Sequence, residues 1–267
     1  MADGGLVAPT AATVRGARSI TAVTAAGTHE TATVVATDRA SDLALLRVST
    51  DLPVAPFTDD ASTAAGRPVL VVAVAPRPKR PATMWSTGTV AATGATVTGG
   101  GATGMAAIDA RAPGAPAVAG ALLLDASGRV LGILDQGGRS AVRAAVFLPA
   151  SLVLGVTAEL AASGRVQHGW LGVRGHDAPG APGASTTTTA AVLGGGGALV
   201  ASVDPKGVAA GMLKPGDVIV SANGAPVRTM AELRNRLYVL GPGSPVRLGL
   251  WRGGRQLAVA VDLGTTS

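Results

Sequence analysis

The sequence predicts a mainly β chain made of two β-rich regions joined by one helix. Three observations carry that prediction. Thirty-eight glycines and 17 prolines divide 267 residues into many short segments, several of them β-branched. Apolar residues make up 47% and charged residues 14%, a globular composition, while aromatics at 2% leave Val, Leu, Ile and Ala to fill the core. Finally, the strand-like pattern is broken near Leu148-Pro149 by a stretch with apolar residues four apart.

In chain order, residues 31–38 (TATVVATD) and 41–48 (SDLALLRV) read as strands joined by Asp38-Arg39-Ala40. Residues 67–75, 86–92, 105–110 and 129–134 add short β segments, a succession that suggests a barrel or a sandwich. Over 151–163, Leu152, Val156 and Leu160 share a helical face, with Ser151 placed to cap the start and Gly164 to end the helix. Residues 175–197 read as a low-complexity, mobile loop. Strand-like runs return at 198–203, 217–222, 245–251 and 255–263. In the last two, Val246, Leu248 and Leu250 oppose Leu257, Val259, Val261 and Leu263 across the turn Arg252-Gly253-Gly254-Arg255. Thr229-Met230-Ala231-Glu232 is a capping box that opens a helix through about Leu240, stopped by Gly241-Pro242-Gly243.

Cysteine is absent, which excludes disulfides, Cys-based zinc sites and a thiol nucleophile. No metal or other cofactor is expected. The net charge of +6 raises the question of nucleic acid, but the one basic cluster, Arg77-Pro78-Lys79-Arg80-Pro81, has no aromatic platform and reads as an exposed loop, so no nucleic-acid partner is expected. The longest apolar run, Val69 to Pro76, is too short to span a bilayer. Met1-Ala2-Asp3-Gly4-Gly5 has neither a basic n-region nor an apolar h-region, so no export signal is expected in this chain.

The motifs "TVVATDRASDLALLRV" (33–48), "LLLDASGRVLGI" (122–133), "RVQHGWLGV" (165–173), "LKPGDVIVSANGAPV" (213–227) and "LYVLGPGSPVRLGLWRGG" (237–254), in this order, resemble the HtrA/Deg family. The resemblance implies a trypsin-like double β-barrel over 1–150, a linking helix over 151–164 and a PDZ domain over 165–267. It also implies a His-Asp-Ser triad, in which the serine attacks the peptide carbonyl, the histidine moves the proton and the aspartate orients the imidazole. Asp42 occupies the aspartate of the family's "SDLA" motif. The histidine motif, similar to "TNAHVV", aligns with Pro9-Thr10-Ala11-Ala12-Thr13-Val14 and puts Ala12 in its place, 30 positions before Asp42. The serine motif "GNSGG" aligns with Ala117-Val118-Ala119-Gly120-Ala121 and puts Ala119 in the nucleophile's place.

Two of three catalytic side chains are therefore expected to be missing, and Ala117 and Val118 stand where glycine and asparagine would shape an oxyanion hole. The candidate substitutes are weak. His29 reads as a turn residue only 13 positions before Asp42, and Ser41, Ser86, Ser127 and Thr98 lack a nucleophile's glycine-rich setting. Asp42 itself reads as a structural acid bonding backbone. The family barrel begins well upstream of its histidine motif, so upstream strands, and with them an anchor or export segment, are expected to be lost from this sequence.

In the second domain the resemblance implies capture of an extended C-terminal peptide at a sheet edge beside a helix. The carboxylate loop has the family form Arg-Gly-x-Leu-Gly; here it is His168-Gly169-Trp170-Leu171-Gly172-Val173, with histidine in place of arginine. Imidazolium favours a carboxylate and imidazole does not, so capture is expected to be weaker, and stronger below neutral pH. Leu237 stands at the family's side-chain pocket, Leu233 reads as core, and Trp170 reads either as a loop anchor or as a hydrophobic wall.

The expectation is a degenerate HtrA-like protein that binds hydrophobic peptide tails or unfolded segments as adaptor, chaperone or regulator in quality control, outside the cytoplasm or at a membrane. An active serine endopeptidase and a structural subunit stay open as alternatives. So do a homo-oligomer and a hetero-oligomer with active relatives.

Overall fold

The computed structural model describes residues 5–24, 26–58, 64–75, 82–115, 118–135, 144–178 and 196–265. It divides into two compact units, Met1–Val166 and Gln167–Ser267, and both are built mainly of strands.

The first unit opens with β1 (Leu6–Val7), the short helix α1 (Ala11–Val14), β2 (Ile20–Val23), β3 (His29–Asp38) and β4 (Leu43–Arg47). The strands form a four-stranded antiparallel sheet in the order β1-β4-β3-β2. Ala11, Val14, Ala32, Ala44, Leu46 and Val48 pack as its core. Then come β5 (Pro68–Ala75), β6 (Ala82–Thr96), β7 (Ala106–Arg111), β8 (Leu122–Leu124), β9 (Val130–Leu134) and β10 (Ala145–Pro149). These close into a barrel in the order β10-β7-β6-β5-β8-β9. Closure is possible because alternate residues point inward: Val69, Val71, Ala73, Val90, Ile108, Leu123 and Phe147 fill the interior.

Helix α2 (Ala150–Ser163) belongs to the first unit. Its apolar stripe, Leu152, Val153, Val156 and Leu160, is buried, and the helix packs on β3, β4, β9 and β10. A stripe at helical spacing says that a face is covered without saying by what, so the sequence read this helix as a linker. Its start differs from the expected one. Pro149 is the N-cap and no side chain caps the helix, so Ser151 does not. Gly164 does end it, in the left-handed conformation at φ 72, with its N–H donating to Leu160 O.

The second unit holds β11 (Gly169–Trp170), β12 (Val173–Asp177), β13 (Ala198–Val203), β14 (Val218–Ala222), β15 (Ala225–Pro226), α3 (Met230–Tyr238), β16 (Pro245–Arg252), β17 (Arg255–Asp262) and β18 (Gly264–Thr265). One sheet runs β12-β13-β14-β16-β17, with β15 beside β14, and β11 pairs with β18. The expected hairpin is present in register: Leu248 faces Val259, and Arg252 faces Arg255 across two glycines with positive φ. The capping box is present as well. Thr229 accepts from Glu232 N, and the Glu232 carboxylate accepts from Arg228 N. Residues 175–177 form the end of β12 rather than a loop, while 179–195 lie outside the described residues, as does the basic segment 77–81.

Candidate functional site

The turn between β3 and β4 brings Asp42 to the start of α1. Asp42 adopts the left-handed conformation at φ 54, which aspartate tolerates better than most residues. From there it grips the helix twice. Its backbone carbonyl accepts from Ala11 N at 2.7 Å, and its Oδ1 accepts from Ala12 N at 3.0 Å. Arg15, just past the helix, places Nη2 3.5 Å from the same oxygen. The carboxylate is 1% exposed. Burial raises its pKa above the usual aspartate value, and Asp135 adds to the rise; the Ala12 N–H and the Arg15 guanidinium oppose it without cancelling it.

Gly101 closes this corner. A Cβ there would lie 2.1 Å from Asp42 Cγ, so the 97–105 turn can lie over the carboxylate only with glycine at that position. Nothing local in the sequence marks Gly101, because the contact spans 59 positions. Asp109 on β7 and Asp135 after β9 are buried in the same unit.

Ala12, aligned with the triad histidine, is exposed on α1. Ala119, aligned with the nucleophile, is half-buried in the turn before β8, closed by Ala121 N donating to Val118 O, with Gly120 at φ 80. Val118 packs against the barrel core. Ala117 lies outside the described residues.

The other candidates are placed elsewhere. His29 is the first residue of β3, exposed and paired with Val23, not a turn residue. The rest of β3 separates it from the Asp42 turn by about 30 Å at the usual rise of a strand. It is the first unit's one histidine. Ser41 is buried and donates to Asp38; Ser86 donates to Pro113 O at 2.7 Å; Ser127 lies in the β8–β9 turn, where its N–H donates to Asp125. Thr98 is exposed beside the Gly99-Gly100 turn. Among the described residues no group of three or more His, Asp or Glu is arranged to hold a metal ion, and no helix is long and apolar enough to cross a membrane.

In the second unit, β12 is the outer strand of its sheet among the described residues, and α3 packs beside it. Asp177 at the end of β12 accepts from Met230 N at the start of α3, at 2.7 Å. At the opposite end of α3, His168 stacks on Tyr238 with ring centroids 3.6 Å apart. The loop between them is tightly built: a Cβ at Gly169 would meet Leu240 O at 2.4 Å. The Trp170 ring lies near Gly172 and Gly264: a Cβ added at either would come within 3.4 Å and 3.9 Å of it, respectively. Leu171 and Gly172 are held from behind, their carbonyls accepting from Ala209 N and Asp204 N. Leu237, 7% exposed, packs with Leu171 and Leu233 in the unit's core. Sequence reasoning does not reach the pair that joins strand to helix, Asp177 and Met230, because the bond spans 53 positions.

Fold and loops together define a trypsin-like domain followed by a PDZ domain. Comparison with known proteins agrees: residues 2–133 match the trypsin-like peptidase domain model and residues 154–263 the PDZ domain model. The chain belongs to the HtrA family. It is 33% identical over 153 residues to the periplasmic pH-dependent serine endoprotease DegQ of Escherichia coli (strain K12), covering 55% of this chain and 32% of that protein. It is 29% identical over 246 residues to a probable periplasmic DegP-like serine endoprotease of Bartonella henselae, covering 89% of this chain and 46% of that one. The chain thus spans less than half the length of these relatives. A solved structure of the HtrA-type protease AlgW with a tripeptide matches over the whole chain and 88% of its own, with a TM-score of 0.64 and 26% identity.

Proposed function

We propose that this chain is a non-proteolytic member of the HtrA family that holds peptide tails or unfolded segments through its PDZ unit, serving as adaptor, chaperone or regulator in protein quality control. The observation that carries the reading is the environment of Asp42. The carboxylate that would orient an imidazole meets the backbone N–H of Ala12, a residue with no imidazole to offer, and the Arg15 guanidinium. The first unit's one histidine stands at the far end of β3, and an alanine occupies the nucleophile's aligned position. Acyl transfer by a serine needs a base within hydrogen-bond reach of the hydroxyl, and removing base and nucleophile together eliminates triad catalysis.

The peptide-holding half of the proposal is supported by the outer position of β12 beside α3, a strand-and-helix arrangement that takes an added strand. The relatives' periplasmic naming supports a place outside the cytoplasm. Panning a library of free C-terminal peptides on the full chain tests this half. Enrichment of hydrophobic tails is the expected result; no enriched tail contradicts it and favours a purely structural subunit that assembles with itself or with active relatives.

A further inference from the structure

We infer that the edge of β12, outermost in its sheet among the described residues, selects tails that alternate apolar and acidic residues: an apolar C-terminal side chain toward α3, with acids at the penultimate position and two before it, beside Arg174 and His176. The inference rests on the peptide-holding reading and adds the ligand's chemistry.

The ladder fixes the geometry. Gly172 O accepts from Asp204 N, and Ala178 N donates to Gly197 O, at the two ends of the β12–β13 pairing. With the register between them, Arg174 and His176 bond inward to β13, and the main-chain groups of Val173, Gly175 and Asp177 turn outward. A peptide added there uses those outward groups.

The pleat then decides which side chains it meets. Val173 and Gly175 turn toward α3: Val173 packs on the core, and Met230 Cε lies 2.4 Å from where a Gly175 Cβ would be. Arg174 and His176 are exposed on the other face. Residues opposite one another on antiparallel strands share a face, so every second residue of the peptide lies beside Arg174 or His176. If the terminal side chain turns toward Leu237 and α3, those residues are the penultimate one and the one two before it.

Charge completes the argument. The unit Gln167–Ser267 carries nine Lys and Arg against five Asp and Glu. The acid on β12, Asp177, faces the helix side and holds the Met230 N–H, while Glu232 on α3 holds the Arg228 N–H. An acidic tail therefore gains the Arg174 guanidinium as an opposite-charge neighbour across the new ladder, and a basic tail gains it as a like-charge one.

The test is fluorescence anisotropy on the full chain, with labelled ten-residue peptides that end in valine. Glu, Ala or Lys occupies the penultimate position and the one two before it. The Glu tail is expected to bind about three- to tenfold more tightly than the Lys tail at low salt. That preference should shrink in about 0.5 M salt, where charges are screened beyond roughly 4 Å. The exposed double variant Arg174→Glu, His176→Glu should reverse the order. Equal affinity for Glu and Lys tails overturns the inference and leaves the peptide-holding reading standing. Failure of every tail to bind, the Ala tail included, overturns both.

Discussion

At the residue scale, Asp42 is the acid that ties the β3–β4 turn to α1. It is buried, left-handed and raised in pKa, yet both its carbonyl and its carboxylate hold the start of α1. A raised folded-state pKa means that protonation favours the fold: this contribution is present below the unfolded aspartate value and is lost as pH rises through the folded value. Asp42→Asn keeps an acceptor for Ala12 N and removes the buried charge. The variant should therefore melt no lower than the parent at neutral pH, and any advantage should vanish in acid, where Asp42 is protonated. A large loss at neutral pH, read by calorimetry, contradicts this. Gly101→Ala should cost about 1–3 kcal/mol by overpacking, measured by urea unfolding. Asp42 was legible because it sits in a recognisable string of neighbours. Gly101 was not, because its reason is a contact between distant parts of the chain.

At the scale of elements, what could be read was what is written locally. The Thr229–Glu232 capping box lies within four consecutive residues, and the turn at Gly253-Gly254 advertises its positive φ values. Thr229→Ala should cost the second unit about 1 kcal/mol, seen as a lower urea midpoint, and an unchanged midpoint argues against the cap. What could not be read was partnership. The stripe on α2 was visible, but its seat on β3, β4, β9 and β10 was not. The strands β2 and β10 show themselves only in their pairing, β2 with β3 and β10 with β7 and β9. The end of β12 reads as loop because Gly175, His176 and Asp177 run into a low-complexity string, and only pairing with β13 reveals the strand.

At the scale of the whole molecule, the buried aspartates Asp42 and Asp217 respond to acid in opposite senses. In the second unit, burial of Asp217 acts to raise its pKa, but bidentate hydrogen bonds from Arg252 and the Lys214 N–H outweigh it and hold the pKa below the usual value. A lowered folded-state pKa gives stability that is present above the unfolded value and lost as pH falls through the folded one. Arg252→Met strands that carboxylate and should cost the second unit about 3 kcal/mol at neutral pH, with the loss shrinking in acid. The central claim, that the first unit keeps the protease frame without its chemistry, is tested most directly by incubating the full chain with a fluorophosphonate probe and mapping adducts by mass spectrometry. No modified serine is the predicted result. A stoichiometric adduct on any serine of the first unit would mean that a working nucleophile and base exist in it.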